Sequence, residues 1–328
     1  MLSFVFFGII FSACKRSSEE DNDFIGPVDT TTPLNFKVLG DSLHCRYDLV
    51  NFQISKQFFL ASFSHKVSWS LLVKGENSGA IRSFYGLSDR LDSTNTRFQG
   101  DADSIQLFTA AEKCNATLTI VGWSKSYQTS FSINGTKKFN CLILDDFEKT
   151  ISDTGFVDNY SDADDSLVSF KRGISDTIFE GKYAAKLSGY DVNKNYWLAA
   201  LGSQNVKFSS LLSGNNPSST YLNLFALGQQ KGSTVIEIQL MEDENGNGTF
   251  ENTIDEVWSK QVRLKKKWTQ FSLLYDDFSK TASVGNGIKE TSKLLKINFV
   301  IICNPPGGYG EAYLDFVNFT FNKPFSQK

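Results

Sequence analysis

The segment Asp243-Glu244-Asn245-Gly246-Asn247-Gly248 puts side-chain oxygens at the first, third and fifth places of a loop and a glycine at the sixth. That spacing suits calcium, a hard cation that surrounds itself with carboxylate and carbonyl oxygens. Asp243, Asn245 and Asn247 are therefore candidate metal ligands. The twelfth place is Ile254, where the helix-loop-helix calcium motif needs a bidentate Glu, and Asp255 and Glu256 come after it. The flanks IEIQLME and DEVWSKQVRL read as strands, so the same residues also describe a long hairpin turn rich in Asn and Gly, which needs no metal to form.

A second chemistry is carried by aromatic residues in loop-like surroundings. Sugar rings present flat C–H faces that stack on aromatic rings, with amides and carboxylates at the rim to bond hydroxyls. Tyr196 and Trp197 in KNYWLAALG, Trp258 after the acidic loop and Tyr309 in NPPGGYGE are candidate glycan-binding residues, each with packing as its alternative role. The two histidines, His44 and His65, have no partners at metal-ligand spacing and read as surface or loop residues. No histidine follows them, so Ser-His-Asp and Cys-His sites are disfavoured in the rest of the chain. A glycosidase needs only two carboxylates, whose separation no sequence reveals. The expectation is a binding protein and not an enzyme.

The elements that must hold these residues are strands. Twenty-nine Phe, eleven Tyr and 24 Gly against two Met favour pleated sheet over helix. A chain of 328 residues with 41% hydrophobic content has room for two domains with a core each. Its net charge of −3, from 33 basic and 36 acidic residues spread along the chain, offers no field to gather a polyanion, so nucleic acid is not an expected partner. Beyond residues 2 to 13, no apolar stretch approaches the ~20 residues that a membrane-spanning helix needs.

Residues 2 to 13 have the length of the apolar region of a signal peptide, closed by the small pair Ser12-Ala13. Phe11-Ser12-Ala13-Cys14 resembles a bacterial lipobox, in which the cysteine becomes the first mature residue and carries the lipid. The resemblance makes 1–13 a lipoprotein signal peptide and Cys14 the lipid anchor, although no Lys or Arg precedes the apolar run. Glu19, Glu20, Asp21 and Asp23 then form an acidic tether over 14–33, too charged to pack into a core. This tract resembles the export signal of surface lipoproteins in the Bacteroidetes group. Triplets such as Asp29-Thr30-Thr31 and Asp103-Ser104-Ile105 are similar to that group's O-glycosylation sites. The implied location is the outer membrane, reached through the lipid anchor alone and exposed at the cell surface.

From residue 34 to 140 short alternating runs are separated by Gly, Ser, Asn and Asp clusters. Val67, Trp69, Leu71 and Val73 alternate along one strand, Ile105 and Leu107 mark another, and Leu118 and Ile120 a third that continues through Val121 and Trp123. VSWSLLVKGENSGA and AEKCNATLTI resemble Ig-like domains of the polycystic-kidney-disease type, so the expectation is an Ig-like β-sandwich with Trp69 in its core. Cys45, Cys114, Cys141 and Cys303 remain after Cys14; of the three pairings open to them, Cys45 with Cys114 is slightly preferred.

Residues 141–328 carry longer runs, with Tyr183, Ala185 and Leu187, then Ile236, Ile238 and Leu240, then Leu295, Ile297, Phe299 and Ile301 alternating, and EAYLDFVNFTF places Asp315 on the face opposite Leu314 and Phe316. Some eight such strands fit a β jelly roll. LDDFE at 144 to 148, EGKYAAKL at 180 to 187, YLNLFALG at 221 to 228, WTQFSLLYDDF at 268 to 278 and YLDFVNF at 313 to 319 resemble the galactose-binding-like jelly rolls of carbohydrate-binding modules. The whole is expected to be all-β, an N-terminal Ig-like β-sandwich followed by a larger jelly roll. The resemblance implies a structural calcium held by acids of the first and last strands, here Asp145, Asp146 and Asp315, whose alternative is turn capping. It also implies a polysaccharide or glycan as partner. A rival role is that of an accessory lipoprotein docked on an outer-membrane protein complex through exposed aromatics.

Overall fold

The computed structural model describes residues 35–149, 155–161, 168–191, 197–204, 206–228, 233–281, 283–304 and 306–328. The leader, Cys14 and its tether lie outside the described residues, as does Tyr196. Strands β1 (Val38–Cys45), β2 (Leu49–Asn51), β3 (Phe59–Gly75), β4 (Ile81–Leu91), β5 (Lys113–Ile120) and β6 (Tyr127–Gly135) form one six-stranded sheet, ordered β1-β3-β5-β6-β2 with β4 also on β3. β3 is long enough to pair β1 through its first residues and β5 through its last, and β2 closes against β6 in parallel. The sheet surrounds a core that includes Phe59, Trp69, Leu71, Phe98, Leu118 and Phe131.

Val67, Trp69, Leu71 and Val73 all point inward, as their alternation predicts. Trp69 donates its indole N–H to Ser88 Oγ at 2.8 Å, and its cross-strand neighbour is Gly86, where a Cβ would stand only 2.5 Å from the indole ring. Three expectations are corrected here. Ile105 and Leu107 belong to no strand but to the irregular segment between β4 and β5. β5 ends at Ile120, leaving Val121 exposed while Trp123 turns back to pack on Phe36 at 5.1 Å. The preferred Cys45–Cys114 bond is not formed: all four described cysteines are free thiols, Cys45 lying near Asp48 and Thr129 while burial pushes the Cys114 thiol far above its ordinary pKa.

The second unit is a sandwich of two six-stranded antiparallel sheets. Its strands are β7 (Leu142–Asp145), β8 (Gly155–Ser161), β9 (Val168–Ile174), β10 (Ala184–Tyr190), β11 (Trp197–Gln204), β12 (Thr220–Gly228), β13 (Ser233–Glu242), β14 (Glu256–Arg263), β15 (Thr269–Leu274), β16 (Ser279–Lys280), β17 (Leu294–Asn304) and β18 (Tyr309–Phe321). One sheet runs β15-β12-β18-β10-β9, with β7 also on β18; the other runs β16-β14-β13-β17-β11-β8. Inward residues of both, among them Leu187, Leu224, Ile238, Phe299, Leu314 and Phe319, fill one continuous core.

The period of two fails once on β18. Asp315 was expected on the face opposite Leu314 and Phe316, but Phe316 takes φ 47° and the register with β12 slips between Asn223 and Phe225. A bulge of this kind inserts one extra residue, so Asp315 and Phe316 both leave the sandwich core. Phe316 instead joins a separate cluster with Phe179, Phe225, Phe325 and Leu107, against which Ile105, Phe139, Cys141 and Trp268 also pack. Leu107 and Ile105 come from the first unit, so this cluster is the joint between the two. The chain end fastens it. Gln327 accepts from Ala102 N and donates to the carbonyls of Ser104 and Ile105, while Lys328 pairs with Asp103 at 3.2 Å.

Candidate functional site

The outward residues of β10 and β18 alternate in register: Tyr190 opposite Tyr309, Ser188 opposite Glu311, Lys186 opposite Tyr313. At the free end of this face the Tyr190 and Tyr309 rings lie 5.1 Å apart, tilted by 52°, and they are 55% and 37% exposed. Two neighbouring tyrosines this exposed at a strand end are not core packing. The Tyr309 hydroxyl donates to Glu311 Oε2 at 2.8 Å, and Lys186 Nζ pairs with the same oxygen at 2.8 Å while lying 5.1 Å over the Tyr313 ring.

Burial opposes the charge on Lys186, but Glu311 and Tyr313 outweigh it and hold the ammonium well above its ordinary pKa. Burial raises the Tyr309 phenol as well, and Glu311 adds to the shift. The Lys186 side of the pair is thus held charged. The loop behind it is tied down by Asp191, whose N–H donates to Gly308 O and whose carboxylate accepts from Gly307 N. Two aromatic faces, a carboxylate and an ammonium therefore sit side by side on rigid strands, a layout able to stack one or two apolar ring faces and bond the hydroxyls around them.

Of the aromatics expected from the sequence, Tyr309 is in this site and Trp197 begins β11, opposite Ile302. Trp258 is corrected: it is 5% exposed, its indole N–H donates to Glu242 Oε2 at 3.0 Å, and Lys280 and Lys289 lie over its ring, so it has no face to offer. Tyr190, Lys186, Glu311 and Tyr313 were missed. The outward series Tyr309, Glu311, Tyr313 was readable from the period of two, whereas the Tyr190–Tyr309 pairing joins strands far apart in the chain.

The metal expectations fare unevenly. Asp145 is corrected: its two oxygens accept from Arg172 at 2.7 and 2.8 Å and from the N–H groups of Phe147 and Phe156, a closed set around a buried ion pair. Asp315 accepts from the N–H groups of Phe179, Glu180 and Phe316, and Asp146 from that of Glu148, which is the turn-capping alternative. Nearby, Glu180 is pushed up to about 7, first by burial and then by Glu148 and Asp146. In the acidic hairpin, Asp243 accepts from the N–H groups of Gly246, Asn247 and Gly248. Asn245 and Asn247 donate to Glu251 and accept from Asn247 N and Thr249 N. All of these hydrogen bonds fold the turn onto itself.

No family model and no curated protein matches the sequence. Among solved structures, the chain is similar to a family 11 carbohydrate-binding module from Clostridium thermocellum in complex with a beta-1,3-1,4-mixed-linked tetrasaccharide, at 13% identity and TM-score 0.38, over 56% of this chain and 98% of that one. It is also similar to the CBM22-1 xylan-binding domain from Paenibacillus barcinonensis Xyn10C, at 10% identity and TM-score 0.34, over 57% and 98%. A family 30 carbohydrate-binding module aligns at 10% identity and TM-score 0.36, over 56% and 88%.

Proposed function

We propose that this protein is a non-catalytic glycan-binding lipoprotein, tethered to the outer membrane through Cys14, in which the Tyr190–Tyr309 end of the jelly roll takes a polysaccharide. The observation that carries this reading is the pair of exposed tyrosine rings beside the Lys186–Glu311 ion pair. Exposed aromatic area costs solubility, and a rigid pair of rings with hydrogen-bonding groups at their rim has the chemistry that a sugar needs. The first unit then acts as a spacer between anchor and binding surface. Affinity electrophoresis of the full chain against a panel of soluble polysaccharides tests it. Retardation by one polysaccharide, lost when Tyr190 and Tyr309 are both replaced by Ala, is the expected result. Retardation that survives the double replacement removes the site assignment.

A second reading has its own observation. On the outer side of the first sheet Leu72, Tyr85 and Leu87 are 42%, 74% and 57% exposed, beside Ser68, Ser70 and Ser83 across β3 and β4. Such a patch suits docking on another protein, and so an accessory role on an outer-membrane complex. Purification in detergent with a stoichiometric membrane partner, released when Tyr85 and Leu87 are replaced by Ser, supports that role; recovery as a lone monomer opposes it.

A further inference from the structure

At the end of β13 and the start of β14, at the base of the acidic hairpin, three carboxylates converge. Glu242, Glu244 and Glu256 can each bring one oxygen within 4.8 Å of the other two, the one such acidic trio among the described residues. Glu242 and Glu256 are fully buried, and the Glu244 side chain is 9% exposed. Their register explains the meeting: Glu242 is the cross-strand partner of Glu256, and Glu244 follows two residues beyond the strand end.

Hydrogen bonds account for only part of this cluster. Glu242 accepts from Tyr275 Oη at 2.7 Å, Glu290 N at 2.9 Å and Trp258 Nε1 at 3.0 Å. Glu256 Oε1 accepts from Gly287 N and pairs with Lys280; Glu244 Oε2 pairs with Lys293 at 3.2 Å. Glu256 Oε2 and Glu244 Oε1 are buried with no hydrogen-bond partner. An unpaired carboxylate oxygen out of water is costly, and two of them in one acidic cluster call for a positive ligand. Lys280 pairs with Glu256 Oε1, and Lys293 is shared between Glu244 Oε2 and Glu290, so neither lysine answers the two unpaired oxygens.

We infer that Glu242, Glu244 and Glu256 form a binding site for a hard divalent cation of the calcium type, which clamps the acidic hairpin to the edge of the sandwich. A purely carboxylate donor set selects calcium over zinc or copper, which favour nitrogen and sulfur. The site is independent of the glycan reading. It differs from the Asp243, Asn245 and Asn247 set, whose oxygens all accept hydrogen bonds within the turn, by its two buried oxygens without a partner.

Terbium, a luminescent stand-in for calcium, tests the assignment, because Trp258 and Tyr275 touch Glu242 and sensitise only an ion bound close to them. With the full chain, indole excitation should give terbium emission that saturates and is displaced by calcium. Glu244→Gln and Glu256→Gln should each weaken it by about tenfold or more, the scale on which a metal site's partners act. Glu180→Gln, in the other acidic region, should leave it unchanged. Should Glu256→Gln fail to fold by circular dichroism, Glu244→Gln at the cluster's edge carries the test. Absent emission, as expected if a shared proton alone bridges the two oxygens, overturns the site. So does emission that neither Gln variant weakens.

Discussion

The two halves of β18 share a strand, a sheet and an outward face, yet they meet different surroundings. Tyr309, Glu311 and Tyr313 lie at an open end, where the rings of Tyr309 and its cross-strand partner Tyr190 are exposed. A few residues on, Phe316 is buried in a cluster with Leu107, Phe139 and Phe325, and Asp315 is buried against the N–H groups of Phe179 and Glu180. The difference teaches that exposure here is set by what covers the sheet and not by strand pattern. The bulge at Phe316 gives the covered half an extra outward ring, and the first unit and the chain end close over it. The open half keeps the side chains that can meet a ligand.

Breaking the covered half should cost most. Phe225→Ala removes a fully buried ring stacked on Phe179 at 3.8 Å, and a loss of about 3–5 kcal/mol in urea unfolding is expected, together with earlier proteolysis of the segment between the units. A loss below about 1 kcal/mol would mean that the joint is not packed as described.

Next comes pH. Glu180 has its folded pKa raised to about 7 from an ordinary 4.5, so the folded state binds its proton more tightly than the unfolded chain does. Its contribution is fully present below the unfolded value and is lost as pH rises through the folded one. Stability should therefore fall between about pH 5 and 7, by up to ~1.4 kcal/mol per unit. Glu180→Gln should flatten that slope in chelator-treated protein; an unchanged slope assigns the titration elsewhere.

Gln327→Ala should cost about 1–2 kcal/mol, since it leaves Ala102 N and the Ile105 carbonyl without their partner. The smallest change in stability is expected at the open end. Tyr190→Ala with Tyr309→Ala should shift unfolding by no more than about 1 kcal/mol while abolishing retardation by polysaccharide. If that pair instead destabilises the protein as Phe225→Ala does, the two halves of β18 are alike and the comparison fails.

Some of this was legible in the sequence, because burial on a strand writes itself as a period of two. Trp69 with its neighbours on β3, Ile236 to Leu240 on β13 and Ile297 to Ile301 on β17 stand where alternation put them. The all-β class followed from the same pattern and from the aromatic content. What alternation could not reveal is which outward residues stay outward. Trp258 looked like an exposed aromatic beside a polar loop, and only the folded hairpin brought Glu242, Lys280 and Lys289 around it. Asp145 looked like a metal ligand until Arg172, on β9, took both its oxygens.

The sequence by itself therefore determined the all-β class and the inward faces of the strands named above, since these depend on local period and composition. Only the tertiary structure decided the pairings of Tyr190 with Tyr309, of Asp145 with Arg172 and of Glu242 with Glu256. Each joins residues from different strands, and cross-strand register is fixed by turns, bulges and the packing of whole sheets, none of which a local pattern contains.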